Sequence, residues 1–124
     1  MKTFSAWKTA LIDIDRSAEF TGDDVDQYSK LVDLGQDFEE IVLDVPTLTS
    51  SALNIYVQKD GEVATVPVAV HYRQPTDLAT AAWGTTASTG AFSISAKIGG
   101  YQYLRVRAAS NQAADRSIKV RGVK

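Results

Sequence analysis

From residue 31 onward the chain alternates apolar and polar side chains over short runs, the period-2 pattern of strands with one buried and one wet face. Lys30 to Leu34 reads as a first strand, ended by Gly35. Ile41, Leu43 and Val45 alternate with Val42 and Asp44 until Pro46 closes the run, and Leu53, Ile55 and Val57 alternate with Asn54, Tyr56 and Gln58 up to an Asp60-Gly61 turn. Val66, Val68, Val70 and Tyr72 form the next apolar face. Pro67 lacks an amide hydrogen, so this strand is expected at a sheet edge. A Thr/Ala/Gly-rich loop from Gln74 to Gly90 precedes Phe92, Ile94 and Ala96, after which Gly99-Gly100 turns the chain. Leu104 and Val106 then oppose Tyr103, Arg105 and Arg107, and Ile118 and Val120 oppose Ser117, Lys119 and Arg121.

These runs predict an all-β domain: an antiparallel β-sandwich, jelly-roll or Ig-like, of six to eight strands, because sheets with one wet face show such alternation while parallel sheets read continuously apolar. The expected core is Ile41, Leu43, Leu53, Ile55, Val57, Val68, Val70, Phe92, Ile94, Leu104, Val106, Ile118 and Val120. Residues 1–29 break the pattern and are read as an N-terminal arm on a sandwich domain of residues 30–124. Thr9 to Ile14 could form a short strand, but Ser17 to Ser29 is acidic and only sparsely apolar. Phe4, Trp7, Leu11 and Ile12 are therefore expected to anchor the arm, against a neighbouring subunit or partner.

A length of 124 residues fits one domain, and a hydrophobic fraction of 44% can supply its core. Cysteine is absent, which excludes disulfides and thiolate chemistry. No apolar run approaches the about 20 residues of a membrane span, and Lys8 with Asp13 and Asp15 argues against a secretion signal, so no membrane partner is expected. The net charge of −2 hides a split: residues 1–62 hold 13 acids and 5 bases, whereas residues 63–124 hold 2 acids and 8 bases. Contacts between unlike faces of neighbouring protomers would suit that split, as would halves that interleave within one fold.

Little in the sequence suggests catalysis. The single histidine, His71, sits in a strand pattern without a nucleophile motif, so no enzymatic role and no cofactor are expected. The acidic run Thr21 to Asp26 lacks the spacing of a calcium loop, and no metal is expected. If the last two strands were neighbours, Arg105, Arg107, Lys119 and Arg121 would share an outer basic face. Such a face could dock an acidic protein surface or a nucleic-acid backbone, or be an ordinary solvated face. The pI of 5.3 and the lack of a stacking platform argue against nucleic acid.

The order of Ile41 to Pro46, Leu53 to Gly61, Gly100-Tyr101-Gln102-Tyr103-Leu104-Arg105 and Ala113-Ala114-Asp115-Arg116 resembles small structural proteins of tailed bacteriophages, over residues 31–124. The resemblance implies a non-enzymatic head decoration, or cement, protein on the outer surface of the virion capsid. Its implied partner is the major capsid protein, and its implied assembly a homotrimer. The alternative is a carbohydrate- or receptor-binding module of a fibre or baseplate, with Trp83, Tyr101 and Tyr103 as a sugar platform.

Overall fold

A computed structural model of the chain, described for residues 3–73 and 80–124, is all-β. Part of the expected Gln74–Gly90 loop, residues 74–79, lies outside the described residues, as do Met1 and Lys2 at the start of the expected arm. Six strands form one antiparallel sheet in the order β1 (Lys8–Ile12), β8 (Arg116–Val123), β2 (Val32–Ser51), β7 (Ser88–Ala108), β3 (Leu53–Gln58) and β4 (Val68–Ala69). A separate hairpin pairs β5 (His71–Arg73) with β6 (Thr80–Ala82).

The two long strands are continuous where the sequence suggested breaks. Gly99 and Gly100 do not join separate strands; both take positive φ (78° and 87°) inside β7 and displace its register against β2 between Phe38 and Glu40. β7 is thereby divided in function. Its first part pairs only with β2, while Tyr103 to Ala108 also pairs with β3. Gly90 is fixed by space as well as by its φ of 92°: a Cβ there would lie 1.9 Å from the Pro46 carbonyl oxygen.

The inward phase of the strands builds one core from both ends of the sheet. Ile41, Leu43, Leu53, Ile55, Val57, Leu104, Val106, Ile118 and Val120 are buried as expected, and Val70, Phe92 and Ile94 pack partly buried against them. Val68 is a correction, being 58% exposed. It pairs with Val57, but β4 is the edge strand that Pro67 foretold, and among the described residues no strand lies beyond it to cover the side chain.

The N-terminal segment also departs from an arm. β1 pairs with β8 from Lys8↔Val120 to Ile12↔Arg116, which drives Ala10 and Ile12 into the shared core with no exposed surface. Ile12 is therefore unavailable to a partner, correcting its expected role. Further on, Tyr28 bridges Arg107, with Ser29 N donating to the Val106 carbonyl (2.8 Å) and Ala108 N to the Gln27 carbonyl (2.9 Å). Residues 27–29 thus pair along the edge of the last part of β7, and Glu19 and Phe20 ahead of them reach the side chain of Arg105.

Candidate functional site

The four basic residues expected on one face are not brought together, because β2 separates β7 from β8 in the sheet. Arg105 is fully buried, which corrects its assignment to partner binding. Its Nη1 donates to Glu19 Oε1 (2.8 Å) and the Ser29 carbonyl (3.0 Å), its Nη2 donates to the Val63 carbonyl (3.2 Å), and its guanidinium stacks 4.8 Å from the Phe20 ring centre. Arg107 donates to Gln27 Oε1 and stacks on Tyr28 at 5.2 Å. Bases of the second half of the chain are thus spent on an acidic segment of the first, and the charge split partly cancels within the fold.

That segment has its own frame. Arg16 grips both carboxylate oxygens of Asp23 and reaches the Tyr28 carbonyl, while Asp23 also accepts from Glu19 N. Asp23, in the acidic run weighed as a calcium loop, is consumed by these bonds. Phe20, Tyr28 and Tyr56 follow edge to face, with centroids 5.1 and 5.2 Å apart. Burial and a hydrogen bond with Tyr56 push the Tyr28 phenol up to about 12.

The other two bases meet the chain start. Backbone bonds join Thr3 to Lys124 in both directions and Ser5 N to the Gly122 carbonyl, laying residues 3–5 along the end of β8. Arg121 donates from Nε to the Ser5 carbonyl (3.1 Å) and stacks on Phe4 and Trp7, at 5.4 and 4.8 Å from their ring centres. Lys119 donates to Thr9 Oγ1 at 2.7 Å. Phe4 and Trp7 remain 53% and 45% exposed, while Leu11 is half-buried. Of the expected partner-binding residues, Phe4, Trp7 and Arg121 therefore form one patch on the β1 edge, flanked by Lys119 and Leu11.

Two groupings escaped the sequence reading. Asp13, Asp15 and Asp115 place carboxylate oxygens within 4.8 Å of one another, with Lys30 3.6 Å from Asp13. Only folding brings Asp115 to the other two. A cleft of about 540 Å³ opens between the β5–β6 hairpin and the first part of β7, lined by Glu40, Val70, His71, Tyr72, Trp83, Ser95, Ala96 and Lys97. His71 Nδ1 lies 3.2 Å from Thr80 Oγ1. Tyr101 and Tyr103 line a different depression, so this cleft brings together only Trp83 of the three residues expected as a sugar platform.

No family model matches the sequence, and no curated protein matches it at a significant level. Among solved structures, the chitosan-binding module 1 of a Paenibacillus sp. IK-5 chitosanase/glucanase has a TM-score of only 0.45 at 17% identity, over all of this chain and 93% of that one. The SPBc2 prophage-derived protein YomS has a TM-score of 0.55 at 14% identity, over all of this chain and 96% of that one, which shows a shared β fold.

Proposed function

We propose that this chain is a non-enzymatic virion structural protein that decorates a phage capsid from outside, docking as a homotrimer on the major capsid protein through the Phe4–Trp7–Arg121 patch. The observation that carries the reading is that patch. Two large aromatic side chains stand about half exposed on an open strand edge, yet are held in place by a cation beneath them and by backbone pairing. Preorganised apolar surface is available for binding without a large ordering cost.

The sequence resemblance and the fold shared with a prophage-derived protein support a phage setting. A shell offers many copies of one site, so modest affinity per copy is sufficient once neighbouring copies act together. Mixing the purified chain with shells that lack it tests the proposal. Saturable, stoichiometric co-sedimentation is expected, with trimers visible by light scattering. Absence of co-sedimentation, or attachment undiminished by Phe4→Ala with Trp7→Ala, would overturn it.

A further inference from the structure

We propose that the cleft between the β5–β6 hairpin and β7 binds a neutral oligosaccharide. Its volume of about 540 Å³ falls within the range of small-ligand sites. Val70 and Trp83, both packed against the core, give it a fixed apolar lining, and Tyr72 stands 50% exposed beside them. A sugar ring presents apolar C–H groups on its faces and hydroxyls around its rim. The C–H faces suit the electron-rich faces of Trp83 and Tyr72, and the rim suits closely spaced donors and acceptors.

Glu40, His71, Ser95 and Lys97 supply that polar surround. Glu40 and Lys97 are direct cross-strand partners, yet no hydrogen bond or ion pair joins their side chains among the described residues, leaving a carboxylate and an ammonium to engage hydroxyls. Among the described residues the lining carries one carboxylate, one ammonium and one histidine, a balance that suits a neutral ligand better than a strongly charged one. A phosphate or sulfated ligand would call for an excess of bases, and an acyl chain for a lining without these four polar groups.

The ligand chemistry does not depend on capsid docking, since the described lining residues all belong to one chain and lie outside the Phe4–Trp7–Arg121 patch. Calorimetric titration of the full chain with cellotetraose, maltotetraose and chitotetraose should give saturable heat with at least one of them. Tyr72→Ala and Glu40→Gln, each checked for folding by circular dichroism, should weaken that binding about tenfold. Perturbation of the Trp83 indole N–H resonance on titration should accompany it. No saturable heat with any of the three, binding unchanged in both variants, or an uncharged decapeptide that competes for the same site with equal strength would overturn the assignment.

Discussion

Arg105 and Arg121 occupy the same kind of sequence position, the polar phase of a strand whose other phase is core, and they meet opposite fates. Arg105 lies in the part of β7 flanked by β3, and the segment 16–29 closes over it, so the guanidinium loses all contact with solvent. Arg121 lies on β8, one strand from the edge, where Phe4, Ser5 and Trp7 reach it, and it becomes the base of an exposed aromatic patch. Dehydrating a guanidinium costs several kcal/mol, which Arg105 offsets with a carboxylate, two carbonyls and a ring face. Alternation tells which side of a sheet a residue occupies. What covers that side is a separate question, and here the answer turns one arginine into a structural clamp and the other into surface chemistry.

The sharpest test of this contrast is truncation of the clamp. Arg105→Ala should lower stability by about 3 to 5 kcal/mol in urea unfolding, because it leaves two carbonyls without their donor, leaves Glu19 with only the longer contact to Arg16 (3.5 Å) and opens a cavity under Phe20, whereas Arg121→Ala should cost less than about 1 kcal/mol. Similar losses at the two sites would mean that segment 16–29 is held by other contacts. Next comes the edge itself. Ile12→Ala should cost about 2 to 4 kcal/mol, and removal of residues 1–12 should unfold the domain or strongly lower its melting temperature, since Ala10 and Ile12 are core. A truncated chain that melts like the intact one would restore the picture of a detachable arm.

Phe4→Ala with Trp7→Ala should shift stability by no more than about 1 kcal/mol while removing shell attachment, separating the docking surface from the fold. The smallest effect concerns pH. The folded-state pKa of Tyr28 is raised, so the folded protein holds this proton more tightly than the unfolded chain; stability is unaffected below the ordinary tyrosine pKa and falls as pH rises from about 10 toward about 12. A melting-temperature series in that window should fall less steeply for Tyr28→Phe than for the unaltered chain. Parallel curves would show that burial beside Tyr56 does not govern the phenol.

The strands and most of the core were legible because burial on one face of a sheet imposes a two-residue period that local sequence must carry. Leu53, Ile55, Val57, Leu104 and Val106 all fall where that period put them. Pro67 announced an edge through its missing amide hydrogen. Val68 could not be placed by the same means, since its phase is inward but its exposure depends on whether another strand lies beyond β4. Nor could Gly99-Gly100 be told from a hairpin turn, because positive φ serves a bulge within one strand as well as a turn between two.

The site was less legible still. Alternation placed Arg105, Arg107, Lys119 and Arg121 on outward phases, but strand order inserted β2 between their strands. The sequence alone determined that the protein is a cysteine-free, all-β chain with aromatic residues near its start. Tertiary structure alone decided that residues 8–12 are an edge strand, that residues 16–29 cover Arg105, that Phe4 and Trp7 meet Arg121, and that Tyr72 and Trp83 share a cleft with Glu40 and Lys97. The reason is physical: periodicity is set by neighbours along the chain, whereas cover, pairing partner and cleft are set by segments many residues away, whose approach is fixed only when the whole sheet closes on its core.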